Sequence, residues 1–197
     1  VTTSVGYEEL QQIPSSRDPW VVLQTVPGII VDRVNVGGAE SGQQSNYLAK
    51  GAVGSDNTWN IDGIPITDLA ATGSSPTYYA FDMFQEMSVT TGGASAINPT
   101  AGAQLNMQFK GGSDRVTAAA HYIGAGEGMQ SDNLPDELID LAGPTGKGNR
   151  MKEFSDVGFD VGVPIVRGRW WGWGGYGRTD GTLYTLNGDP DRTLLEN

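Results

Sequence analysis

The stretch Thr58-Trp59-Asn60-Ile61-Asp62-Gly63-Ile64-Pro65-Ile66 constrains this chain more than any other. An Asp-Gly pair between alternating apolar residues predicts a tight hairpin. A type I′ turn needs positive φ at both central positions, and Asp and Gly tolerate it best. Two further strands follow. Glu86 to Thr91 sets Met87 and Val89 on one face. Gln104 to Lys110 alternates Leu105, Met107 and Phe109 against Gln104, Asn106, Gln108 and Lys110. A period of two over such a length marks a strand with one buried face.

Turn formers are abundant, with 29 Gly and 10 Pro in 197 residues. This favours short strands and loops over long helices, in one domain or a domain with part of another. The formal net charge of −11 disfavours nucleic acid as a partner, since phosphate binding needs clustered Lys and Arg. With no cysteine, disulfide frameworks, thiolate metal sites and Cys nucleophiles are excluded. No apolar run of about 20 residues exists to form a membrane helix, but barrel strands need only about 9–11 residues of alternating polarity. No signal peptide is visible, and the abrupt start at Val1 suits a processed or partial product.

Residues 1–14 read as extended. A helix is predicted to start within 15–20, with Ser16 as cap, Asp18 at the positive end of the dipole and Pro19 in the first turn. Pro27-Gly28 ends it. Short strands are predicted over 29–34 and 46–50 around a loop at 37–45. Residues 67–80 form a Ser/Thr/Gly/Pro loop carrying Tyr78 and Tyr79, and residues 81–85 a single helical turn. Gly111-Gly112-Ser113 is the expected boundary, dividing the chain into 1–113 and 114–197.

Beyond that boundary the pattern changes. Strands are predicted near 115–124, 154–164 and 169–178. A long acidic loop lies between the first two and a short turn between the last two. Val157, Phe159, Val161 and Val163 alternate with Asp156, Gly158, Asp160 and Gly162, and Trp170, Trp171, Trp173 and Tyr176 cluster just after the turn. Long loop, short turn, one apolar face and an aromatic girdle suit an outer-membrane barrel, the Asp/Gly face toward the lumen. A soluble antiparallel sheet with one buried face fits the same alternation.

Catalytic chemistry finds little support. His121 is the only histidine. It shares a strand face with Thr117 and Ala119, which suits a polar wall position, and no triad or His-based metal motif accompanies it. As a calcium loop, the 58–69 segment has Thr58 where the first Asp belongs and Leu69 where the closing Glu belongs. Asn187, Asp189 and Asp191 have the right spacing, but Arg192 replaces the required Gly. Residues 124–128 lack a phosphate-loop pattern. No catalytic residue, metal or cofactor is expected.

The ordered set carries more than its parts. It runs from Ile13-Pro14-Ser15-Ser16-Arg17-Asp18 through Leu23-Gln24-Thr25-Val26-Pro27-Gly28 and Tyr47-Leu48-Ala49-Lys50-Gly51 to Asn60-Ile61-Asp62-Gly63-Ile64-Pro65-Ile66. Met87-Ser88-Val89-Thr90-Thr91-Gly92-Gly93 and Ala101-Gly102-Ala103-Gln104-Leu105-Asn106-Met107 complete it. This order resembles the plug domain of TonB-dependent outer-membrane receptors, most closely the Oar-like subgroup. Residues 160–173 resemble the second and third barrel strands. The resemblance implies an α+β plug, a small mixed sheet with short helices, followed by the first three antiparallel strands of a transmembrane β-barrel. The complete barrel would have about 22 strands.

The implied function is outer-membrane active transport of a ligand, driven by a TonB-type periplasmic energy-coupling protein that acts through a segment upstream of Val1. Outer-membrane lipid would be the surrounding partner. A surface receptor or scaffold, or Oar-like export, are the rival roles, with an enzyme behind them. The resemblance makes the 67–80 loop an apical, ligand-facing loop, with Thr67, Asp68, Tyr78 and Tyr79 as candidate ligand residues. It makes Lys50 and Thr91 candidate plug–barrel contacts. The chain departs from the family at Thr90-Thr91-Gly92-Gly93, where the family has Leu-Arg-Gly-Pro, and at Lys50, where the family has Arg. Its plug–barrel latch must therefore differ, since Lys lacks the planar two-pronged donor of Arg.

Overall fold

The computed structural model describes residues 2–13, 17–32, 44–92, 101–131, 135–139, 151–184 and 194–196. The first half is built on a five-stranded mixed sheet. Its strands are β1 (Thr2–Gly6), β4 (Thr58–Ile61), β5 (Ile64–Pro65), β6 (Phe84–Thr90) and β7 (Gln104–Phe109), in the order β1-β6-β7-β4-β5. β4 runs parallel to β7 and every other pairing is antiparallel. A separate ribbon pairs β2 (Ile29–Val31) with β3 (Tyr47–Ala49). The predicted hairpin closes at Asp62 and Gly63, with φ of 48° and 78°, the positive pair a type I′ turn demands. The Asp62 carboxylate also accepts the Phe109 N–H, tying the turn to β7.

Alternation sets the core. Met87 and Val89 of β6 and Leu105 and Met107 of β7 are fully buried, opposite one another in register. Trp59, Phe84, Tyr47 and helix α2 (Pro19–Gln24) close over them, with Trp20 and Trp59 rings 5.4 Å apart. Asn57 is buried and satisfied at both ends: its Nδ2 donates to the Tyr47 carbonyl and its Oδ1 accepts the Ala103 N–H. Gly102 must be glycine here, because a Cβ would stand 2.3 Å from the Asp56 carbonyl oxygen.

Two local expectations change. Residues 7–12 are not extended but form α1 (Tyr7–Gln12), with Glu8 and Glu9 in its first turn favouring the N-terminal dipole and Leu10 driven into the core. The α2 cap is Asp18, whose carboxylate accepts the Val21 N–H, while Ser16 lies outside the described residues.

The second half is an antiparallel sheet of order β11-β10-β9-β8, comprising β8 (Thr117–Gly126), β9 (Met151–Val166), β10 (Trp170–Tyr184) and β11 (Leu194–Glu196). A short helix, α3 (Asp136–Ile139), lies between β8 and β9. The strands differ from the expected 115–124, 154–164 and 169–178. β9 and β10 extend further toward the long-loop side because cross-strand pairing continues to Met151↔Leu183, and a short fourth strand follows. The Asn187, Asp189 and Asp191 spacing lies outside the described residues. Val157, Phe159, Val161 and Val163 are exposed on one face. On the other, Asp156 is buried and Asp160 nearly so. A strand that exposes its apolar side and shelters its carboxylates is inside-out for a soluble sheet and correct for a barrel wall.

Candidate functional site: the seam between the two sheets

The carboxylates on the sheltered face of β9, two strand periods apart, each meet a cation from the first half of the chain. At the first, the Arg17 Nε donates to Asp156 Oδ2 at 3.1 Å, while its Nη2 is ion-paired with Asp82. His121 on β8 faces both acids, with Nδ1 3.0 Å from Asp82 Oδ2 and Nε2 3.1 Å from Asp156 Oδ2. Gln11 Nε2 donates to Asp82 Oδ1 and Thr179 Oγ1 to Asp156 Oδ1, so all four carboxylate oxygens are engaged. The Arg17 guanidinium also lies 5.3 Å from the Phe81 ring centroid. The His121 ring passes directly over Gly158, where a Cβ would stand 2.5 Å from Cε1. Removing the side chain at 158 therefore makes room for the histidine.

Burial alone would raise the Asp82 carboxyl. The Arg17 hydrogen bond and charge, helped by Gln11 and His121, outweigh it and hold the group below the usual carboxylate range. Asp82, His121 and Asp156 are also the group among the described residues that could present three metal ligands, their atoms within 4.8 Å of one another. Two features make the cluster an ion-pair network instead. The guanidinium already lies between the two acids, and the two imidazole nitrogens address different carboxylates rather than a common point.

At the second carboxylate, Lys110 Nζ lies 2.8 Å from Asp160 Oδ1 and 4.4 Å from the Tyr7 ring centroid, while Trp173 Nε1 donates to Asp160 Oδ2 at 3.3 Å. Beside it is a cavity of about 220 Å³ reached by Tyr7, Lys110, Thr117, Ala119, Asp160 and Trp173. The connection between the halves is pinned too. Asp114 Oδ1 accepts the Gly168 N–H and the Trp171 Nε1–H, which pull its carboxyl below the ordinary value. Ala80 presses on Gly177, where a Cβ would come within 2.7 Å of its own.

The candidate contacts Lys50 and Thr91 lie in the first half of the chain. Lys50, itself at φ 49°, extends along Gly28 and Gly92 within the first half, and Thr91 is buried. Among the described residues, Arg17 and Lys110 bring cations to the β9 carboxylates, and sequence reasoning did not single them out for that role. The one available signal was Arg17 beside Asp18-Pro19, an arginine next to a helix start with no acid at helical spacing behind it.

The 67–80 loop is largely self-supporting. Thr67 Oγ1 accepts the Trp59 N–H, and Asp68 Oδ1 accepts from Ala70 and Ala71, which lowers that carboxyl. Tyr79 shares a hydrogen bond with Ser75 and sets its ring edge-on to Phe84. Burial pushes its phenol up, partly offset by Ser75. Tyr78 differs: it is 57% exposed, its ring 5.9 Å from that of Trp20. Near this loop, Asp32, Asn46, Asn57, Ser74 and Ser75 reach a second cavity of about 380 Å³.

The family model described as the TonB-dependent Receptor Plug Domain matches residues 1–104. No curated protein sequence matches the chain. Solved structures match in fold. The siderophore receptor PirA from Acinetobacter baumannii aligns with a TM-score of 0.62 at 17% identity, over 90% of this chain and 24% of that one. The outer membrane transporter YddB from Escherichia coli aligns with a TM-score of 0.62 at 13% identity, over 95% and 31%. The pyoverdine outer membrane receptor FpvA from Pseudomonas aeruginosa aligns with a TM-score of 0.54 at 18% identity, over 100% and 26%. The chain thus spans 24–31% of these proteins' lengths.

Proposed function

The chain belongs to the TonB-dependent receptor plug family, a family of outer-membrane receptors and not of enzymes, and from that premise we propose that it is the plug and first wall strands of an energy-coupled transporter. In this reading residues 1–113 are the plug and residues 114–197 begin a barrel of about 22 strands. Lipid meets the Val157, Phe159, Val161 and Val163 face. A TonB-type periplasmic protein pulls on a segment upstream of Val1, and a ligand that has bound above the plug then passes.

The observation that carries the reading is the seam. A transporter plug must block the lumen yet let go. Buried ion pairs suit both demands, because their attraction is largely cancelled by desolvation and they separate without leaving apolar surface in water. Arg17 and Lys110 on one side, with Asp156 and Asp160 on the other, make such a seam. Tyr78 is the proposed ligand-facing residue, since an aromatic ring held at the surface contacts a ligand at small entropy cost. Thr67, Asp68 and Tyr79 shape the loop that presents it.

The test is ligand uptake by cells carrying the full-length protein with and without the segment preceding Val1. Uptake that stops on deletion supports the reading. Uptake that continues overturns it in favour of passive entry. Binding without uptake in either case favours a surface receptor or scaffold.

A further inference from the structure

We infer that Arg115, Arg167 and Arg169 form a headgroup site at the short-turn end of the wall, which selects an anionic phospholipid from the leaflet that this end meets. The inference rests on the barrel-wall reading above and adds a lipid chemistry to it.

One contact brings the three arginines together. Arg167 and Arg169 flank Gly168 in the turn between β9 and β10, and Arg115 follows Asp114 in the connection between the two halves. Asp114 Oδ1 accepts the Gly168 N–H at 2.6 Å and the Trp171 Nε1–H at 2.8 Å, which fixes the connection against the turn. The turn itself is tight, with Gly168 at φ 72° and the Arg169 N–H donating to the Val166 carbonyl at 3.0 Å. Gly112 lies so close to β10 that a Cβ would stand 2.6 Å from the Gly172 carbonyl oxygen. The backbone beneath the arginines is therefore held in place before any ligand arrives, which lowers the ordering cost of binding.

Their charge is out of keeping with the chain. The sequence carries 23 acidic residues and 12 Lys and Arg, yet residues 111–119 and 163–173 set three arginines against the single carboxylate of Asp114. All three are exposed, and the ion pairs among the described residues involve none of them. Arg178, the exposed arginine further along β10, is different: its Nε and Nη2 donate to the two oxygens of Asp180 at 2.7 and 3.2 Å. Unpaired guanidiniums gathered at one place in an acidic chain call for an anion from outside it.

Their neighbours identify that anion. Ile165, Val166, Trp170 and Val116 are large, apolar and exposed, each within two residues of one of the arginines. Side chains suited to hydrocarbon thus stand beside side chains that cannot enter it, which puts the arginines at headgroup level. A guanidinium offers parallel N–H donors that match phosphate oxygens. Phosphatidylcholine brings its own cation, which the cluster repels, whereas phosphatidylglycerol does not. Free phosphate would gain little, because exposed ion pairs in water contribute little.

The experiment uses full-length protein carrying a fluorophore on Val166→Cys in phosphatidylcholine vesicles, with nitroxide-labelled lipid as quencher. Nitroxide phosphatidylglycerol should quench at least about fivefold more strongly than nitroxide phosphatidylcholine at equal content, the factor that a single arginine contributes near anionic lipid. Replacing all three arginines, Arg115→Gln, Arg167→Gln and Arg169→Gln, should bring the ratio close to one. Retained quenching by the phosphatidylcholine probe would show that this variant is folded and inserted. Arg178→Gln, or excess inorganic phosphate, should leave the ratio unchanged. Equal quenching by the two lipids, a preference that survives the three replacements, or its loss to inorganic phosphate overturns the site and leaves the wall reading standing. Quenching by neither lipid would remove the wall reading and the site together.

Discussion

Asp156→Asn isolates the charge of one buried carboxylate while keeping its shape. The side chain is 7% exposed and accepts from Arg17 Nε, from His121 and from the Thr179 hydroxyl. An amide can still accept from one donor, so geometry is largely spared. What is lost is charge assistance in the contacts to Arg17 and His121. Hydrogen bonds to charged groups contribute about 1.5–3 kcal/mol each. Leaving a buried cation unpaired costs about 3–5 kcal/mol. Asp82 retains part of the Arg17 pairing, which puts the expected loss of plug-docking stability at about 3 kcal/mol. Arg17→Met should cost about as much by stranding both acids. Because each change removes the same interaction, the double variant should lose about 3–4 kcal/mol rather than the sum. The coupling of about 2–3 kcal/mol is the quantity that reports the pair. The assay is denaturant-dependent release of the plug in full-length protein, followed by quenching of Trp173, whose indole donates to Asp160 at the seam. Single losses under about 0.5 kcal/mol, or strictly additive losses, would refute the idea that this network fastens plug to wall.

The Asp82 carboxyl is held below its ordinary value in the folded chain, so its contribution is fully present above the usual carboxyl range near pH 4 and is lost as pH falls through its lowered value. Plug docking measured from pH 7 down to pH 2 should weaken only in that acid window, and Asp82→Asn should flatten the fall. Gly102→Ala forces a methyl to within 2.3 Å of a backbone carbonyl and should destabilise the plug by about 2 kcal/mol or more, seen in its thermal midpoint. Trp59→Ala empties the centre of the core, where the ring is 1% exposed and its Nε1 donates to the Gly73 carbonyl, and should cost about 3–5 kcal/mol. Tyr78→Ala should weaken ligand binding about tenfold in a titration while leaving the thermal midpoint unchanged.

What the chain's order alone determined was local. Asp62-Gly63 dictates its own turn because only two φ values are at issue, and the alternation around Met87, Leu105 and Val157 dictates which side chains share a face because strand geometry has a period of two. Those elements, in order, were enough for the family. The sequence did not show which partner a face would meet. Arg17 and Asp156 are 139 positions apart and Arg17 and Asp82 are 65 apart, and no periodicity links them. Their pairing exists because the sheet docks on β9, and a charge selects its partner by position in space. For the same reason Arg17 and Lys110 could not be read as cations that meet β9, whereas the hydrogen bonds that Thr67, Asp68 and Tyr79 make within their own region are set by the fold around them. Composition can say that a residue is polar. Only the tertiary structure decides whether that polarity faces a ligand, a neighbour's backbone or the opposite side of a seam.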